Sequence, residues 1–226
     1  MRILIIVGIL LLLMFGPQLW VRRVLARHHR EAEDFPGNGG EFARHILNRM
    51  HLDHVKVEST DAGDHYDPMN SAVRLTADKL DGKTLTSIVT AAHEAGHAIQ
   101  HAEGYSPFRW RTRLAIMAAA VAKIASFLLF LSPVVMLITR HPVPPAIVAV
   151  LALSGSLLAF VVQLVTLPVE WNASFGKALP ILRSGYLDER QMKSARRILL
   201  ACALTYLASS LAGLLNFWRW AQVLRR

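Results

Sequence analysis

The sequence predicts an α+β protein, mostly helical and of the integral-membrane class, with four transmembrane helices and a small α+β domain on their cytoplasmic face. Three observations carry that prediction. Of the 226 residues, 53% are hydrophobic and the mean hydropathy is +0.34, too apolar for an ordinary soluble domain. The apolar residues are gathered into runs: residues 3–20 hold no charge, and residues 114–168 hold only Lys123 and Arg140. A run of about 18–20 apolar residues is the length that crosses a bilayer. Residues 21–113, by contrast, are polar and charge-balanced, with 13 Lys and Arg against 13 Asp and Glu.

The first run, 3–20, ends in Pro17-Gln18-Leu19-Trp20 with no small-residue cleavage site after it, and is read as an uncleaved span. Arg2 alone precedes it, whereas Arg22, Arg23, Arg27 and Arg30 follow, which places its N-terminus outside and residue 21 onward in the cytoplasm. Within 21–113, Gly37 to Gly40 marks a flexible break. Glu41 to Met50 carries Phe42, Ile46 and Leu47 at helical spacing. Val55 to Glu58 and Ala72 to Leu75 alternate like strands around a turn-rich stretch from Asp61 to Asn70. Thr84 to about Glu103 is Ala-rich and helical. Spans at 114–138 and 146–167 follow, joined by a turn at His141 to Pro145. A polar segment at 169–197 precedes a fourth span at 198–217. The expected organisation is therefore span one at 1–20, a cytoplasmic domain at 21–113, spans two and three at 114–168, a cytoplasmic segment at 169–197, and span four with a tail at 198–226. The two cytoplasmic segments carry 19 of the 25 basic residues, although Arg219, Arg225 and Arg226 fall outside.

The net charge of +9 comes from the apolar flanks and the 169–197 segment, and no basic stripe with interleaved aromatics occurs, so no nucleic-acid partner is expected. Cys202 is the single cysteine, which excludes an internal disulfide and a cysteine metal cluster, and it is read as a packed thiol. Lys123 lies deep in span two, where a pairing or a place in a polar intramembrane cavity would accommodate it.

The sharpest chemical signal is Ala91-Ala92-His93-Glu94-Ala95-Gly96-His97. Residues i and i+4 of a helix share a face, so His93 and His97 project toward one ion, and Glu94 stands beside it as a base for an attacking water. Zinc lowers the pKa of such a water toward neutrality, which suits hydrolysis of a peptide carbonyl. A catalytic zinc needs a third protein ligand. His101 continues the same stripe, but successive residues on one straight helix cannot surround an ion, so it is read as a neighbour. Gln100 and Glu103 stand where a metzincin has glycine and histidine, which excludes that class. Glu170 is the only acidic residue between Glu103 and Asp188, and the expected topology returns it to the face of His93. It is taken as the third ligand, in a gluzincin-like set with one zinc per chain. The alternative is an interfacial carboxylate capping a helix after Pro168. Ser174, four residues on, lies on the same helical face and could hydrogen-bond a ligand imidazole.

Three blocks together resemble the bacterial membrane-bound neutral zinc metallopeptidases of the YugP type: Asp64-His65-Tyr66-Asp67-Pro68, Ala91 to Gln100, and Thr166-Leu167-Pro168-Val169-Glu170. Leu204-Thr205-Tyr206 also fits, and the likeness covers nearly the whole chain. Trp171 and Asn172 depart from the phenylalanine and aspartate expected there, and the linker after span one is unusually basic. The resemblance implies a layout related to the HtpX-type membrane proteases, with two spans inserted between the histidines and the glutamate. It also implies a role for the Asp64–Pro68 block, which by composition alone is only a turn: bordering the cleft, with His65 or Tyr66 steadying the oxyanion. The expected protein is a zinc endopeptidase of the bacterial inner membrane, multi-pass, with the lipid bilayer and membrane-protein or peptide substrates as partners. The rival is a zinc-binding membrane scaffold without catalysis, for which an intact Glu94 would have no use.

Overall fold

The computed structural model describes residues 16, 19–27, 35–140 and 145–204. Helix α1 (Gly39–Arg49) starts where Asn38 and Glu41 form a reciprocal cap: the Asn38 side chain accepts from the Glu41 N–H at 2.8 Å, and the Glu41 carboxylate accepts from the Asn38 N–H at 2.9 Å. Its apolar stripe, Ala43, Ile46 and Leu47, turns inward. Strands β1 (Lys56–Ser59), β2 (His65–Asp67) and β3 (Ala72–Leu75) form one sheet in the order β1-β3-β2. β1 runs parallel to β3, with Val57 opposite Val73, and β2 runs antiparallel, with Tyr66 opposite Val73. The turn-rich stretch expected from Asp61 to Asn70 thus contains an edge strand. Three residues are too few for period-two alternation to register.

The short helix α2 (Ala77–Leu80) leads to α3 (Leu85–Ala102), whose N-cap Thr84 accepts from the Ser87 N–H at 3.2 Å. Every residue of α3 from Leu85 to Gln100 is buried. The sheet and α1 pack on this helix, as do the later segments, in one core that runs from Ala43 through Phe108 to Leu199. The catalytic-type motif therefore sits on the most enclosed helix of the described chain, not on a solvent-facing one.

Helix α4 (Ser106–Thr139) and helix α5 (Pro145–Trp171) pack together as an antiparallel pair, since Arg111 near the start of α4 meets Glu170 near the end of α5. At about 1.5 Å per residue, the 34 residues of α4 span roughly 51 Å, beyond the roughly 30 Å hydrocarbon core of a bilayer. The eight residues before the expected span, including Arg109, Arg111 and Arg113, are thus helical extension. Two helical runs, Ser106–Thr139 and Leu157–Arg183, are long and apolar enough to cross a membrane. α4 exposes Phe127, Phe130, Leu137 and Ile138 on its outer surface, as a lipid-facing helix would. Among the described residues two such runs are present, against four expected along the whole chain. The first expected span and most of the fourth, with Thr205 and Tyr206, lie outside the described residues, as does most of the turn at 141–145. Residues 19–27 and 189–204 are helical, and Val21, Ile198, Leu199, Ala201 and Ala203 are buried. Lys123 is exposed on α4 and makes no ion pair among the described residues.

One expectation fails in an instructive way. Proline lacks an N–H and normally closes a helix, yet α5 continues through Pro168 to Trp171 and on into a π-helical segment, Asn172–Ala178, then α6 (Leu179–Arg183). The 169–197 region thus begins inside the core: Val169, Ala173, Ala178 and Leu182 are fully buried. Gly96 permits the approach, because a Cβ there would lie 2.9 Å from the Ala173 carbonyl oxygen.

Candidate metal centre

His93 and His97 stand one turn apart on α3 with ring centroids 4.8 Å apart, both about 4% exposed. Glu170, on the last turn of α5, is fully buried and points between them. Its Oε2 lies 3.2 Å from His93 Nε2 and 3.3 Å from His97 Nε2. Two tetrahedral ligand atoms, each about 2.0–2.1 Å from one zinc ion, stand about 3.3 Å apart. Despite these short distances, Oε2 has no hydrogen-bond partner. No hydrogen bond joins Oε2 to either Nε2: the three atoms converge on a point instead of pairing. His93, His97 and Glu170 are the group among the described residues whose ligand atoms lie within 4.8 Å of one another. Two imidazole nitrogens and one carboxylate oxygen are a donor set that suits zinc, with a fourth position left for water.

The surroundings set each ligand's state. Ser174 Oγ donates to the Leu199 carbonyl at 3.1 Å, so it accepts at 3.0 Å from His93 Nδ1–H. The Gln100 amide nitrogen donates to Val169 O and to Asn172 Oδ1, both at 2.9 Å, which directs its Oε1 to accept from His97 Nδ1–H at 3.0 Å. With both Nδ1 atoms protonated, both Nε2 lone pairs face the convergence point, the tautomer a metal requires. Arg111 donates to Glu170 Oε1 at 3.1 Å, which occupies one carboxylate oxygen and leaves the other for the ion. An unpaired carboxylate at this depth would cost several kcal/mol, so the Arg111 pair is what makes its burial tolerable.

Ser174 thus stands where the helical spacing placed it, beside a ligand imidazole. Gln100 and Arg111 were missed. Gln100 had a signal: an amide on an otherwise Ala-rich buried helix face, three residues after His97, has to find partners. Arg111 had none, since only the phase of α4 distinguishes it from Arg109 and Arg113. Asn172, one of the departures from the resembled pattern, supports Gln100 directly.

Glu94 is 6% exposed. Burial pushes its carboxyl up to about 7, with Glu170 adding in the same direction and His93 opposing. A carboxyl held near neutrality can both take and return a proton. A cavity of about 230 Å³ opens on this cluster, and His65, Tyr66, Thr90, Glu94 and Arg111 are among its walls. The Asp64–Pro68 block divides into two roles. Asp64 accepts from the Thr76 N–H at 2.7 Å and its hydroxyl at 2.9 Å. Asp67 accepts from the Met69 and Asn70 N–H groups and so holds a turn, whereas Asp64, the residue ahead of β2, is tied to Thr76 at the start of α2 and also lines the cavity. His65 and Tyr66 line the cavity. The Tyr66 hydroxyl is paired with His101 Nδ1 at 2.8 Å, and His101 is not among the three converging residues. His65 Nδ1 is held by the Gly63 carbonyl at 2.7 Å, so His65 could donate to an oxyanion only through Nε2 of its cationic form.

The imidazole partners carry a measurable expectation. Ser174→Ala and Gln100→Ala should each lower zinc affinity about 10–100-fold without abolishing it, read by competition with a chromogenic chelator. Affinity equal to wild type in both variants would show that these hydrogen bonds do not orient the imidazoles.

The family described as "Putative neutral zinc metallopeptidase" matches residues 3–225. The chain is also similar to a curated relative, "Putative membrane protease YugP" of Bacillus subtilis (strain 168). The two are 31% identical over 213 residues, which covers 93% of this chain and 91% of that one. No solved structure matches the chain. With a match across almost its full length, the chain belongs to the family described as "Putative neutral zinc metallopeptidase".

Proposed function

We propose that the protein is a membrane-bound endopeptidase that hydrolyses peptide bonds at the cytoplasmic face of a bacterial inner membrane by zinc-activated water, with one zinc per chain on His93, His97 and Glu170. The observation that carries this reading is the convergence of two Nε2 atoms and an unpartnered Oε2 at 3.2–3.3 Å, next to a buried carboxyl that is not one of the three. Bound zinc would supply a Lewis acid that acidifies its water and polarises the scissile carbonyl. Glu94 takes the proton of the attacking water at its carboxylate and delivers it to the leaving nitrogen. Burial of the carboxyl keeps this exchange near neutral pH and away from bulk water. Arg111 holds Glu170 in place through Oε1, so the carboxylate does not swing toward the substrate. The scaffold alternative leaves Glu94 without a purpose at a buried position where an ionisable group is costly.

The test is zinc content together with casein hydrolysis by detergent-purified full-length protein. About one zinc per chain and zinc-dependent cleavage are expected. Stoichiometric zinc without cleavage of any peptide would turn the reading to the scaffold.

The membrane topology is part of the proposal, supported by the two long apolar helices and by the Lys and Arg bias of 21–113 and 169–197. Single cysteines at Thr60 and His141 in a Cys202→Ala background should differ: an impermeant thiol reagent applied to intact cells should label position 141 and spare position 60. The opposite pattern would invert the topology.

A further inference from the structure

Thr90 stands one turn before Glu94 on α3, and its side chain lines the same cavity as His93, Glu94 and His97. It is 5% exposed, and its hydroxyl has no hydrogen-bond partner. Threonines inside helices commonly donate back to the carbonyl four residues earlier. Three others among the described residues do so: Thr112 to Phe108 at 3.0 Å, Thr139 to Val135 at 2.7 Å and Thr166 to Val162 at 2.7 Å. Thr86, one turn before Thr90, instead donates to the Leu25 carbonyl at 3.3 Å. Thr90 makes no such back-bond, so an enclosed, unpaired hydroxyl belongs to a residue that lines the cavity. Leaving a buried hydroxyl unpaired is costly, and a valine of the same shape would avoid that cost.

We infer that Thr90 is a substrate-contacting residue: its hydroxyl hydrogen-bonds the main chain of a peptide seated in the cavity beside the metal ligands. A hydroxyl both donates and accepts, so it can meet either the N–H or the C=O of a peptide unit. The main chain is the polar feature that every peptide presents, so the contact serves register and is insensitive to side-chain identity. The inference rests on the peptidase reading above and adds a contact to it.

The experiment separates the two. In the Glu94→Gln background, which binds without turnover, Thr90→Val should weaken binding of a fluorescein-labelled casein peptide about threefold to tenfold, the loss expected for one neutral hydrogen bond. Thr90→Ser should bind like the parent. In the active enzyme, Thr90→Val should lower kcat/KM by the same factor with zinc content and the pH profile unchanged. Its thermal midpoint without peptide should match or exceed wild type, because no native hydrogen bond is lost. Unchanged peptide binding would overturn the inference. A lowered thermal midpoint would make the hydroxyl structural, and a displaced pH profile would mean that it acts through Glu94; either result also overturns it. Failure of the wild-type enzyme to cleave, with binding still sensitive to Thr90→Val, would instead sink the peptidase reading alone.

Discussion

Glu94→Gln should remove peptidase activity while leaving the metal in place. Glutamine keeps the size of the side chain and most of its hydrogen bonding but has no basic oxygen. General-base assistance contributes about 10²–10⁴-fold, so kcat should fall by at least that range. Zinc content should hardly change, because Glu94 is not among the three converging donors. Thermal stability should not fall either. Burial already disfavours the ionised carboxylate, as its displacement to about 7 shows, and a neutral amide escapes that penalty. His93→Ala should differ on both counts, losing metal and activity together. Near-normal cleavage by Glu94→Gln would refute water activation by this residue. Loss of zinc in the same variant would reassign Glu94 to ligand or structural support.

How far these residues were legible in the sequence depends on the distance over which each is specified. His93 and His97 form a local pattern: helical periodicity alone brings them to one face, and α3 forms within a residue or two of where composition placed it. Glu170 required a topological argument across more than seventy residues, drawn from one acidic residue standing alone in an apolar stretch, and the structure places it against both histidines. Ser174 followed from Glu170 by helical spacing, even though the turn that carries it is π-helical and not α-helical. The i→i+5 bonding of such a segment widens the turn. Residues four apart nonetheless stay on the face toward α3, where Glu170 and Ser174 both meet a histidine. What could not be read was long-range phase. Nothing local distinguishes Arg111 from Arg109, marks β2 as a strand, or shows that α5 survives Pro168 with its end buried against α3. Each is decided by tertiary packing, where propensity is only a weak guide. Gly96 shows the same limit from the other side. Within the motif it reads as a small helix-compatible residue, and only the Ala173 carbonyl beside it explains why it has no side chain.

Glu170→Ala tests the long-range half of the site. The variant leaves His93 and His97 on their helix with their Nδ1 partners intact, so any loss of zinc measures what the third donor adds. Removing an outlying hydrogen-bond partner of a ligand costs about 10–100-fold in metal affinity, and removing a ligand should cost more than that, leaving little zinc after desalting. Arg111 complicates the result, because it loses the carboxylate that it pairs with at 3.1 Å, and a partly buried charge left alone destabilises the fold. Arg111→Ala separates the two effects. It removes the Arg111 pair while keeping Oε2, so it should retain far more zinc than Glu170→Ala at comparable thermal stability. A folded Glu170→Ala protein with stoichiometric zinc would eliminate Glu170 as a ligand and send the search for the third donor elsewhere. Equal zinc loss in both variants would mean that the ion responds to the ion pair and not to the carboxylate. Zinc retained by Arg111→Ala and lost by Glu170→Ala is the outcome that the 3.2 and 3.3 Å separations require.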